Sequence, residues 1–312
     1  MRVASLLPSA TEIVHFAGAD DTLVGVTHEC DYPPGVERLP RLTSSEIESH
    51  SMTSAEINAA VEGRMTDTGS IYALDAGLLE ELAPDLIITQ GLCNVCAVST
   101  NLVEKAVAGL NKEPEILTLN AASLRDVLDD AIRVGEALGR GQETRDKVAA
   151  LEERLTYVRE TLAGLPRPRV GCIEWLDPPF SAGHWVPEMV GIAGGEEAFA
   201  RPGEPSARLT WDEVFEAAPE VLVLMPCGFD ARRAAEEARR VLPGLPGWGE
   251  LPAVRQGRVW AVDANSYFSR PAPRLVEGVE ILAHVLHPQA FPGVSDALRP
   301  FSEEGAFSER RS

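Results

Sequence analysis

Long apolar runs are missing from this chain: no stretch of its 312 residues approaches the 18 or so apolar residues that a membrane-spanning helix requires. Basic clusters are missing too. Lysine and arginine number 28 against 48 aspartates and glutamates, a net charge of −20, so the surface repels phosphate backbones and anionic bilayers. Neither nucleic acid nor membrane insertion is expected. Cysteine is scarce and odd in number: Cys30, Cys93, Cys96, Cys172 and Cys227 do not make a disulfide framework. No nucleophile elbow, Walker loop or dinucleotide fingerprint occurs in a strand context, which disfavours hydrolase, nucleotide-dependent and dehydrogenase chemistry. The opening MRVASLLPSATEI has one arginine and no apolar core with a cleavage site. A cytoplasmic location is therefore expected, or an extracytoplasmic one if an export segment has been trimmed.

What is present is enough apolar residue, 45% of the chain, to fill two cores. Near the middle, Gln142 to Ala163 carries Val148, Leu151, Leu155, Val158 and Leu162 at steps of three and four. That spacing predicts one amphipathic helix, stopped by Gly164, Pro166 and Pro168. On each side, short β-branched runs alternate with helical patterns, which predicts α/β lobes with mostly parallel sheets. The expected organisation is a lobe over 1–140, a connecting helix over 141–165, a second lobe over 166–288 and a mobile tail from 289. Ser9-x-x-Glu12 and Thr210-x-x-Glu213 read as capping boxes. The polar segment 41–75 is long for a connection and is predicted to hold one helix, Ser54 to Val61. LLEELAPDLIITQGLC (78–93) and EVFEAAPEVLVLMPCG (213–228) share a helix, an Ala-Pro-acid corner, a short strand and a loop with cysteine, 135 residues apart. In such sheets ligands lie beyond the carboxyl ends of the strands, so the loops there are the expected site.

RVASLLPSATEIVHFAGADDTLVGVTHECDYPPGV, APDLIITQ, DPPFSAGHWVPEMVGIAGGEEAF and NSYFSRPAPRLV, in that order, resemble the class III solute-binding proteins of ABC importers, within which the likeness is to the cobalamin-binding branch. The resemblance runs from Arg2 to about Leu286. It implies two Rossmann-like lobes joined by one long backbone helix, little hinge motion, and a small-molecule ligand, a cobalamin-like corrinoid, clamped between aromatic loops. Carried onto this chain, the contacts are Tyr32, Phe180, Trp211, Tyr267, Phe268 and Arg270 with the loop around Cys93. Such proteins dock on the importer through one acid per lobe. Asp212 or Glu213 fills that place in the second lobe, but Gly77 stands there in the first, with Asp75 nearby, so no service to an importer is expected.

Two further groups invite chemistry. Cys93-x-x-Cys96 has the spacing of a metal or redox pair, with Cys30, His28 and His50 as candidate partners by loop position, and equally of small residues in a contact loop. His184 sits in a loop from which it is a candidate axial ligand to cobalt or haem iron. A metal- or haem/siderophore-binding protein is thus the alternative to a corrinoid binder. A tetrapyrrole chelatase using His28 and Glu29 is the enzyme alternative.

Overall fold

The run Leu86-Ile87-Ile88-Thr89 is buried on both faces, as are Val221 to Leu224, and such two-sided burial is the mark of a parallel strand covered by helices. The computed structural model describes residues 1–67, 70–91, 100–293 and 296–301. The chain divides into two units, Met1–Glu153 with Arg270–Pro273, and Arg154–Ser269 with the residues from Arg274 on.

In the first unit the elements are β1 (Val3–Ser5), α1 (Pro8–Phe16), β2 (Leu23–Gly25), β3 (Thr43–Ser45), α2 (Ser54–Asp67), β4 (Tyr72–Leu74), α3 (Ala76–Leu82), β5 (Leu86–Gln90), α4 (Thr100–Val107), β6 (Glu115–Leu119) and α5 (Leu124–Ala137). Its main sheet is parallel, in the order β2-β1-β5-β6. The chain moves outward from β1 to β2 and then back past β1 to β5, so the strand order reverses between β1 and β5. Ala4, Leu6, Leu42, Leu79, Ile87 and Val103 form a core on one face. The polar segment holds more order than its sequence suggests: β3 and β4 pair antiparallel, and α2 runs two turns longer than predicted.

The predicted connecting helix is α6 (Gly141–Thr161), and the boundary between the units falls inside it. Val148, Leu151, Leu155, Val158 and Leu162 are buried, as their spacing requires. At its first turns Lys147 Nζ donates to the carbonyl of Phe16, tying α6 to the end of α1. Further along, Arg154 makes a two-pronged contact with Glu280, at 2.9 and 2.7 Å.

The second unit contains β7 (Arg169–Leu176), β8 (Pro179–Ser181), α7 (Val186–Ile192), β9 (Glu196–Glu197), α8 (Trp211–Ala217), β10 (Val221–Leu224), α9 (Ala231–Val241), α10 (Pro252–Arg255), β11 (Val259–Val262), α11 (Ala264–Tyr267), α12 (Leu275–Leu286) and β12 (Leu298–Pro300). The sheet order is β12-β11-β10-β7-β8, with β9 also on β7. The β7, β10 and β11 pairings are parallel, whereas β8 and β12 run antiparallel at the two edges. Residues 298–300, expected within a mobile tail, are therefore a strand of the sheet.

One predicted cap fails and one holds. Ser9 and Glu12 do not cap α1, which starts at Pro8 with no side-chain cap, and both are buried. Thr210 and Glu213 do form a capping box at α8, Thr210 Oγ1 accepting from the Glu213 amide and Glu213 Oε2 from the Thr210 amide.

Candidate ligand site

In the first unit the loop that follows β2, Thr27 to Tyr32, leaves the sheet at the carboxyl end of a strand. Its backbone carbonyls face the protein and need donors. Arg41 Nη1 donates to the carbonyls of Thr27 and Cys30, at 2.6 and 2.9 Å, and Arg270 Nη2 donates to that of Glu29 at 3.2 Å. Thr43 Oγ1 accepts from the amide of His28 and lies 2.8 Å from His28 Nδ1. The Cys30 thiol is buried between the hydroxyls of Thr11 and Thr27, 3.2 Å from each. Tyr32, half-buried, meets the edge of His15 at a ring separation of 5.5 Å. His15 in turn bonds Asp20 through Nδ1 at 2.7 Å and stays partly exposed.

Arg270, carried over as a ligand contact, has its guanidinium committed elsewhere. It is 9% exposed, grips both carboxylate oxygens of Asp31, and reaches Glu12 Oε1 at 3.2 Å. Burial disfavours the charge, but Asp31 and Glu12 outweigh it and hold the pKa of Arg270 above its usual value. Glu12 is 2% exposed, and the guanidinium offsets part of the cost of burying its carboxylate.

In the second unit the predicted residues lie at the carboxyl ends of β7, β10 and β11 or at the head of α8. Trp175 pairs with Phe180 across β7 and β8, and its ring meets that of Phe229 edge-on at 5.6 Å. The Phe229 carbonyl accepts from the amides of Ala264 and Asn265, which joins the loop after β10 to the loop after β11. Tyr267 ends α11, half-buried, with the Arg274 guanidinium 5.6 Å over its ring. Gly278 allows this: a Cβ there would fall 2.3 Å from the Tyr267 carbonyl. Trp211 opens α8, half-buried, with Phe215 beside it at 6.3 Å. Phe268, by contrast, is buried, and its carbonyl accepts from Trp185 Nε1 at 2.8 Å. It serves packing and offers no open ring face.

His184 adopts a left-handed backbone, φ 54°, with its amide bonded to the Glu204 carbonyl at 2.6 Å. Gly183 before it lies so close to the 205–206 backbone that a Cβ would fall 2.3 Å from the Ser206 nitrogen. The ring stacks on Trp185, its Nδ1 is buried with no partner, and burial lowers its pKa, so the imidazole is neutral near pH 7. Cys93 and Cys96 lie outside the described residues. Among the described residues no three His, Cys, Asp or Glu side chains gather as a metal would need, and no helix is long and apolar enough to cross a membrane.

The His28 and Glu29 pair does not resemble a working acid and base. His28 Nε2 is buried without a hydrogen-bond partner, 4.0 Å from Glu29 Oε1, and burial together with the Arg41 charge lowers its pKa. At the two docking positions, Asp75 caps α3 by accepting from the Leu78 amide, and Glu213 is held in its capping box, which leaves Asp212 exposed in the first turn of α8.

The profile of the periplasmic binding protein family matches residues 3–265. A Bacillus subtilis protein named as an uncharacterised ABC transporter substrate-binding lipoprotein is 25% identical over 297 residues, 93% of this chain and 81% of its own. A vitamin B12-binding protein of Vibrio cholerae is 26% identical over 284 residues, 89% of this chain and 86% of its own. The crystal structure of a periplasmic heme-binding protein from Pseudomonas aeruginosa superposes with a TM-score of 0.71 at 19% identity, covering 96% of this chain and 98% of that one. These findings overturn the expected cytoplasmic location: relatives named periplasmic or lipoprotein point outside the cytoplasm. The expectation of no service to an importer falls with it, since solute-binding proteins of this type work with a membrane transporter. The chelatase alternative is left without support. From the extent of the family match, the chain belongs to the periplasmic binding proteins, the solute-binding and non-enzymatic components of ABC transporters.

Proposed function

We propose that the solute is a corrinoid of the cobalamin type, delivered to an ABC importer outside the cytoplasm. The observation that carries this reading is the set of half-buried aromatic rings at the rim of the second unit: Trp175, Phe180, Trp211 and Tyr267. A corrin is a broad, partly apolar plate, and aromatic side chains bury 150–250 Å² each with little loss of rotamer freedom. Tyr32, half-buried in the loop after β2, is read as a ligand contact as well. The B12-binding relative, similar along nearly its whole length, supports the same ligand class.

Haem is the second reading. It is favoured by the fold shared with a heme-binding protein and by His184, a neutral imidazole on a strained backbone beside Trp185. A metal ligand from Cys93 or Cys96 is a finer addition to either reading. Absorption titrations of the reduced protein with hydroxocobalamin and with haemin separate them. The corrinoid reading expects a saturable shift with cobalamin at micromolar or tighter affinity. Calorimetry that detects no binding of any cobalamin or cobinamide sinks it, and a shift with haemin alone transfers the assignment to haem. If cobalt is ligated by thiolate, the shift disappears in a Cys93→Ser, Cys96→Ser double variant.

A further inference from the structure

The loop from Thr27 to Tyr32 has almost no regular structure, yet its backbone is held at nearly every residue. We infer that Arg41 is a positioning residue for ligand binding: without touching the ligand, it fixes this loop and so presents Tyr32 in its binding conformation. The inference rests on the reading of Tyr32 as a ligand contact.

Three observations carry it. Arg41 lies on the chain segment bridged to Val26, directly beside the end of β2, so its side chain reaches back over the loop. One nitrogen, Nη1, takes both the Thr27 and the Cys30 carbonyls, closing the loop across its two ends. The opposite side of the loop is already fixed by the Cys30 thiol between two threonine hydroxyls. An ordered loop loses less conformational entropy when ligand arrives, so affinity depends on residues that only do the ordering. Arg270 holds the same loop in a different way. It needs two nitrogens for the Asp31 carboxylate, and it also neutralises buried Glu12. Removing Arg270 would disturb stability as well as the loop, whereas Arg41 isolates the positioning role.

The single-nitrogen geometry gives a specific test. A lysine ammonium carries three donors on one atom and can serve both carbonyls; a methionine of similar length can serve neither. Hydrogen–deuterium exchange of the ligand-free full chain is read over residues 27–32, with α12 as the internal control. Arg41→Met is expected to speed exchange there about tenfold while α12 is unchanged, and Arg41→Lys to stay near wild type. Titration with hydroxocobalamin and haemin should then show affinity about tenfold weaker in Arg41→Met and recovered in Arg41→Lys. The Tyr32→Ala, Arg41→Met double variant should bind no more weakly than Tyr32→Ala alone, because both act through one ring. Wild-type exchange in Arg41→Met, or a lysine variant no better than the methionine one, overturns the inference. If wild type binds neither probe, the ligand assignment falls while the exchange result still decides whether Arg41 fixes the loop.

Discussion

Ala83 and Ala218, 135 residues apart, occupy the same corner of the two units. Each ends a helix in the left-handed conformation, at φ 39° and 48°, and each is followed by a proline and an acid. The acids do the same work. Asp85 accepts from the Arg2 amide at 2.7 Å and returns its own amide to the Arg2 carbonyl at 2.8 Å; Glu220 does so with Arg169, at 2.8 Å in both directions. Thus each helix enters its central strand through a joint that also pins the start of the neighbouring strand. At the other end of the sheets the likeness stops. The first unit holds its rim with guanidinium, hydroxyl and thiol groups around 27–31, and the second with rings around Trp175 and Phe229. The lesson is that the amino ends of the strands keep a folding device, while the carboxyl ends, where ligands lie in such sheets, diverge in chemistry.

The sharpest way to break this comparison is to remove the charge that the first rim depends on. Arg270→Ala removes the guanidinium that offsets the burial of the Glu12 carboxylate and grips Asp31, with an expected loss of about 3 kcal/mol in urea denaturation. A loss below about 1 kcal/mol would mean that water or a neighbour replaces the guanidinium. All five tryptophans lie between Trp175 and Trp260, so emission reports on the second unit alone and circular dichroism is the better probe here.

On the aromatic side, Trp211→Ala or Tyr267→Ala should weaken ligand binding by about 1–3 kcal/mol with the fold intact, as seen by calorimetry. Unchanged affinity in both variants would move them outside the site.

The second unit also hides an acid whose protonation burial controls. Glu197 on β9 has Oε2 buried without a partner beside Cys172, and burial raises its pKa from 4.5 to about 7. The folded state therefore holds this proton more tightly than the unfolded state. Its contribution to stability is intact below pH 4.5 and is lost as pH rises toward 7. Glu197→Gln should match wild type in melting temperature at pH 4.5 and exceed it at pH 8, and a constant difference across that range would refute the assignment.

The smallest expected effects test the shared joint itself. Ala83→Gly and Ala218→Gly each relieve a left-handed alanine and should each gain about 1 kcal/mol in denaturant midpoint. Gains of opposite sign would show that the two corners differ in packing despite their common backbone.

Much of this was legible locally. The stripe on α6, the two corners and the Thr210 cap are written in spacings of a few residues, and the fold follows from them. Glu12 was misread because Ser-x-x-Glu ahead of an apolar run has the form of a cap, whereas its partner Arg270 lies 258 residues away and leaves no local trace. Arg270 and Phe268 carry chemistry that suits a ligand, and only burial distinguishes a side chain used for packing from one offered outward. Helix α2 was read short because only Ser54 and Ile57 are buried along it, too few to print a stripe. Arg41 gave no signal at all, since donating to carbonyls requires no motif.

The antiparallel strand β12 closes one edge of the second sheet with three residues, the last of them proline. Proline has no amide hydrogen to offer a further strand, and a strand this short gives little template for one. Without Leu298–Pro300, β11 would present its open hydrogen-bonding edge to any extended chain it met. A stop codon placed at 297 should therefore yield a protein whose first failing is self-association through that edge, with its ligand chemistry still intact.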